Sequence, residues 1–129
     1  MSFSLCISLP ENEEIRSHWD HVRSHFKIDM LYVIGGKFLK SAAELPSQPL
    51  VLLQPKSGIH LRGDTCLLDF KHPENPIYLF GPDQEPMLPS YLGGREPEHS
   101  VYVPTDRNRE MFAFVAFAVV AWDRKMKEL

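Results

Sequence analysis

The chain is poor in cysteine: Cys6 and Cys66 are the only two among 129 residues. They lack C-x-x-C spacing, so the sequence predicts reduced thiols and no disulfide. Long apolar runs are also missing. The longest, MFAFVAFAVVAW at 111–122, falls short of the roughly 20 residues that a membrane-spanning helix needs. The opening MSFSLCISLPENEE carries no basic segment and soon turns acidic, which predicts no export signal and a cytoplasmic protein. Basic charge is not in excess, since 14 Lys and Arg face 17 Asp and Glu for a formal net charge of −3. Any contact with nucleic acid must then come from a local patch or from two subunits side by side. Internal repeats, low-complexity tracts and linkers are absent.

What is present describes one soluble globular domain, residues 1–129, with 43% hydrophobic and 24% charged residues. Residues 3–9 (FSLCISL) alternate loosely and stop at Pro10, as a strand does. Over 11–26, Ile15, Trp19, Val22 and Phe26 recur at helical spacing, behind an acidic first turn of Glu11, Glu13 and Glu14 that suits the helix dipole. Residues 30–34 (MLYVI) then read as a buried strand ended by Gly35 and Gly36. Further strands are predicted at 49–54, 77–80 and 101–103, before an apolar helix at 109–125. A β-α-β opening of this kind predicts an α/β fold, mostly parallel, with helices on both faces of the sheet.

Two features of this layout bear on function. The last helix is apolar all the way round, which predicts that a second subunit covers it and that the protein is a homodimer. The strands at 49–54, 77–80 and 101–103 all end at proline or glycine. Their loops then gather at the carboxyl edge of the sheet, where open α/β sheets bind ligands.

HPENPIYLFGP at 72–82, VYVPT at 101–105 and a terminal apolar helix running to AWDR together form a pattern that resembles the small SPOUT RNA methyltransferases, which modify ribose 2′-hydroxyls. The resemblance covers most of the chain and is specific from about Leu68 to Arg124. It implies a trefoil knot (the SPOUT-type α/β knot), bound S-adenosylmethionine, a dimer packed through the last helix, and a structured RNA substrate, tRNA first. Carried over by position, it implies cofactor contacts from Leu53, Gln54, Leu79, Phe80, Gly81, Val103 and Pro104, with Met111 near the methionine end. Glycine and proline loops suit an adenine because they bring stiff main chain close to it.

The chain departs from the family pattern at four places. Asp83 replaces a glutamate, Pro86 replaces a glycine, and Glu110-Met111-Phe112 stands where the family has Ser-Leu-Asn. His21 falls where a first-helix arginine positions the ribose and helps draw off its proton. A histidine can accept that proton, and Arg16 and Arg23 can supply the phosphate grip, reaching into a neighbouring subunit. The implied catalytic residues are therefore His21, Arg16 and Arg23. The alternatives are a weakened SPOUT-like dimer that binds RNA or protein, and an unrelated flavodoxin-like binding domain.

Other groups have plainer readings. His18, His21 and His25 share a helix face at zinc-like spacing, but with no carboxylate or thiolate fixed beside them the prediction is a solvated face and no metal. Cys66 reads as a small hydrophobe, His72 as a turn residue with a structural hydrogen bond, and Asp69 and Asp83 as loop caps. Trp19 and Trp122 read as core or interface. Arg124, Lys125 and Lys127 suit a helix C-terminus better than an RNA surface.

Overall fold

The structure is a computed structural model describing residues 2–56, 64–82, 87–107 and 111–129. One all-parallel sheet contains β1 (Ser4–Ser8), β2 (Leu31–Ile34), β3 (Leu50–Leu53), β4 (Thr65–Cys66), β5 (Ile77–Leu79) and β6 (His99–Tyr102). The strands lie side by side in the order β2-β1-β5-β3-β6-β4. Two α-helices accompany them, α1 (Glu13–Arg23) and α2 (Ala113–Lys127). The fold is thus α/β, as the β-α-β opening requires. The two-residue edge strand β4 was not foreseen, being too short to carry an alternation signal.

Helix α1 starts where its chemistry favours a start. The Asn12 side chain accepts a hydrogen bond from the Ile15 N–H at 2.9 Å, with Glu13 and Glu14 in the first turn. Ile15 and Trp19 form its buried stripe. Helix α2 buries Ala113, Ala116, Phe117, Val120, Ala121 and Arg124, a 3.6-residue period whose alanines let the helix lie close to the strands.

Alternation along the strands sorts the core into two layers. Phe3, Leu5, Ile7, Val51, Leu53, Tyr78, Phe80 and Val101 face the buried stripes of both α-helices. Cys6, Leu50, Leu52, Ile77 and Leu79 face the other way, onto Ala42, Leu45, Met87, Tyr91 and Leu92. That second face, expected to carry helices, is covered among the described residues by short 3-10 turns at Ala42–Glu44 and Pro89–Tyr91. Arg95 ties this cover down by donating to the carbonyls of Ala42, Leu45 and Gln48 at 3.3, 3.0 and 2.8 Å. Burial pushes the Cys6 thiol up to about 12, so it behaves as a small hydrophobe; Cys66 is also a free thiol.

Phe117 is the centre of the helix-side layer. Its ring meets Phe3, Trp19, Phe26 and Phe80 at centroid distances of 6.3, 5.8, 5.8 and 5.9 Å, and it has no solvent exposure. It therefore belongs to the core of a single chain rather than to a face free for a second one. Phe117→Ala should cost about 3–5 kcal/mol of unfolding free energy, read from the shift of a urea unfolding curve; a loss below 1 kcal/mol would contradict this packing.

Candidate functional site

Three adjacent strands, β5, β3 and β6, end beside one another and beneath the start of α2. Between them lies an open hollow with about 570 Å³ of empty space, the solvent at its mouth included. The β3 end contributes Leu53, Gln54 and Pro55, the β5 end Phe80, Gly81 and Pro82, the β6 end Val103, and α2 with its lead-in Met111, Ala113 and Ala116; Met87 closes the wall. A proline follows within three residues of each strand end, Pro55 after β3, Pro82 after β5 and Pro104 after β6, and its missing N–H ends the ladder, so the main chain turns away and leaves a concave edge.

Gly81 is there because nothing larger fits. A Cβ at this position would stand 2.8 Å from the Met87 Cβ and 3.4 Å from its Cα. The close approach of residues 81 and 87 thus shapes the hollow, and it depends on a missing side chain rather than on unusual backbone angles.

The lining consists of aliphatic, aromatic, thioether and amide groups. No ionisable side chain lies among the described lining residues. Such a surface can grip a planar or apolar ligand and offer it main-chain polar groups. It supplies no acid, base or nucleophile of its own, so any chemistry here needs a reactive ligand or groups brought from elsewhere.

Six of the residues implied as cofactor contacts meet at this hollow: Leu53, Gln54, Phe80, Gly81, Val103 and Met111. Leu79 does not, because strand alternation turns it into the opposite core layer, where it is fully buried. Pro104 is exposed and outside the lining. Pro55, Pro82, Met87, Ala113 and Ala116 were missed, although the spacing of the two alanines at the start of an apolar helix marks a face of close approach. Asp83, Pro86 and Glu110 lie outside the described residues.

The three implied catalytic residues are elsewhere on α1, Arg16 and His21 exposed and Arg23 half-buried. Arg16 lies 4.0 Å from Glu13 and Arg23 lies 2.5 Å from Asp20. His21 packs edge-on against His25 with ring centroids 5.1 Å apart. None of the three lines the hollow of its own chain. The third histidine of that trio, His18, is not merely solvated, for its ring stacks on Phe114. Among the described residues, no group of three or more His, Cys, Asp or Glu is placed to hold a metal ion. No described helix is long and apolar enough to cross a membrane.

A second polar cluster lies at the opposite, amino ends of the strands. The His72 side chain is 4% exposed, with Nδ1 2.7 Å from the Tyr78 hydroxyl and Nε2 2.7 Å from Asp123. Arg124 donates to the Tyr78 oxygen at 2.9 Å, and Lys127 pairs with Asp123 at 2.9 Å. One proton arrangement satisfies every partner. Arg124 donates to Tyr78, the Tyr78 hydroxyl donates to Nδ1, and the Nε2–H donates to the Asp123 carboxylate. This is a fastening between the 71–74 turn and the end of α2. The cluster Arg124, Lys125, Lys127 is accordingly no cationic surface: Arg124 is buried, and Lys127 also donates to the carbonyls of Leu67 and Phe70.

No protein-family model matches the chain, and no curated protein matches it. The candidate site therefore rests on its own geometry.

The fastening has a pH signature. Burial pushes the His72 pKa below its ordinary value, outweighing the neighbouring Asp123 carboxylate. The folded state thus binds fewer protons than the unfolded one, in which the imidazole titrates near ~6.5. Stability from this group is present above that pH and declines as pH falls through it toward the folded pKa. Thermal unfolding of the wild type should drop between pH 7 and 5.5 more steeply than that of His72→Gln; equal slopes would remove His72 from the account.

Proposed function

We propose that the protein is an S-adenosylmethionine-dependent RNA methyltransferase of the SPOUT type, acting on a ribose 2′-hydroxyl of tRNA or another structured RNA. The hollow at the carboxyl ends of β5, β3 and β6 carries this reading. It is an apolar slot walled by glycine and proline main chain, and it gathers six of the eight residues implied by the resemblance. Its lack of ionisable lining suits a ligand that brings its own reactive group. The interleaved strand order, with β5 between β1 and β3 and β6 between β3 and β4, supports the knotted form of that fold.

Bound S-adenosylmethionine would supply an electrophilic methyl group to the ribose oxygen. Phe80 and Val103 would bracket the nucleoside, while the main chain at Gly81 and Gln54 would meet its polar edge. Met111 would pack against the methionine end. The ribose hydroxyl must lose its proton as the new bond forms, and the lining has no base to take it. In this reading His21 takes it, with Arg16 and Arg23 gripping phosphate, all from a second subunit. Exposed Lys37, Lys56 and Arg107 lie in the segments that follow β2, β3 and β6. They provide local cations that the net charge hides.

The second subunit has a face to meet. Val115, Trp122 and Met126 are exposed along one side of α2, with half-buried Val119 between them and Trp122 at 59%. An apolar stripe of this kind on a helix is a self-association surface in a homodimer. The bare lining also favours a second reading, a SPOUT-like dimer that binds cofactor or RNA without transferring a methyl.

Calorimetric titration with S-adenosylmethionine tests the first reading, with micromolar binding expected. Gly81→Ala should weaken that binding roughly tenfold or more by displacing Met87 into the slot; no binding by the wild type sinks the reading. Binding without methyl transfer to total cellular RNA selects the second. Trp122→Glu should give a folded monomer in sedimentation velocity, and a dimer that persists would move the interface off α2.

A further inference from the structure

Three rings stand in nearly parallel contact where α1 meets the start of α2. His18 stacks on Phe114 with centroids 5.0 Å apart and planes 20° from parallel. Phe114 stacks in turn against Phe112 at 5.4 Å and 6°. The two outer members remain open to solvent, Phe112 at 47% and the His18 side chain at 53%. Phe112 sits between Met111 and Ala113, both of which line the hollow, so the ladder rises from the rim of the candidate site.

Helix stability does not explain Phe112. It occupies the N-cap of α2 and makes no side-chain capping bond. Ser, Asp or Asn at such a position typically stabilises a helix, and a half-exposed phenyl ring forgoes this. The ring is half exposed and leans on Phe114, whose own ring meets His18 of α1. Val115, Val119, Trp122 and Met126 follow Phe112 at spacings of three and four along the outward side of α2, and the stacked rings stand at the end of that stripe nearest the hollow.

We infer that the Phe112, Phe114 and His18 ladder is a stacking platform for one unpaired base of an RNA strand whose neighbouring nucleotide enters the hollow. A nucleobase is the planar π-faced group that extends such a stack, and stacking on aromatic side chains is how single-stranded bases are held without sequence readout. The imidazole edge of His18 adds a hydrogen-bonding rim that a purely aliphatic contact would lack. The platform rests on the RNA part of the function proposed above and is independent of methyl transfer.

The test uses the full chain and a single-stranded RNA oligonucleotide carrying 2-aminopurine, with the same sequence as a duplex for comparison. Wild-type protein should quench the fluorophore and prefer the single strand. Phe112→Ala should lower affinity roughly tenfold and abolish the quench, while Phe112→Trp should retain both, with circular dichroism confirming that each variant is folded. Unchanged RNA affinity in Phe112→Ala overturns the inference, as does a loss confined to self-association in sedimentation. Absence of RNA binding by the wild type also overturns it, even where calorimetry finds S-adenosylmethionine bound. Phe112-dependent RNA binding with no cofactor binding upholds the platform and removes the methyltransferase reading.

Discussion

A guanidinium almost wholly withdrawn from water fixes where the last helix lies. Arg124 donates to the Pro73 carbonyl at 3.0 Å and to the Tyr78 hydroxyl at 2.9 Å, and reaches the Ser2 carbonyl at 3.3 Å. Its Nε lies 3.1 Å from Glu128, and its charge sits 5.6 Å from the centre of the Phe3 ring. Leaving such a charge buried without these partners costs several kcal/mol. A one-residue slip would also turn the helix by about 100°, carrying Arg124 away from all of them. The alignment of α2 on the sheet is therefore set at its C-terminal end, where His72 and Asp123 lock the same turn.

The consequence appears at the other end of the helix. Fifteen residues of α2 reach about 22 Å, from the amino ends of the strands to their carboxyl ends. There Ala113 and Ala116 are small enough to leave space over β5, β3 and β6, and Gly81 lets Met87 close the side. The polar fastening at one edge and the apolar hollow at the other are two ends of one constraint. The described lining of the hollow has no proton acceptor, and Arg16, His21 and Arg23 of α1 stand apart from it. In the function proposed above, a reaction at this edge joins the two across a contact between subunits.

Much of this was legible in the residues themselves. The stripe of Ile15 and Trp19, the acidic first turn of α1, the apolar runs and their Gly or Pro stops all act over a few neighbours, and helix and strand follow from them. Strand periodicity could also have excluded Leu79 from the hollow, since Leu79 and Phe80 must face opposite sides of a strand. Likewise Arg124 continues the buried spacing of 113, 116, 117, 120 and 121, a signal hidden by its charge and by the lysines around it. What local pattern could not supply was the partner of each face. Phe117 and Val115 belong to one apolar helix, yet the first is core and the second is open.

The sequence by itself determined that the chain is α/β, that three strands end in loops suited to a ligand, and that the last helix carries more apolar surface than one layer needs. Periodicity and turn chemistry decide these, because both operate between residues close along the chain. Only the tertiary structure decided that β5, β3 and β6 end side by side, that His18 stacks on Phe114, and that the catalytic candidates on α1 stand apart from the hollow. Those outcomes depend on strand order and helix alignment, which are set by packing and buried hydrogen bonds between residues remote in the chain.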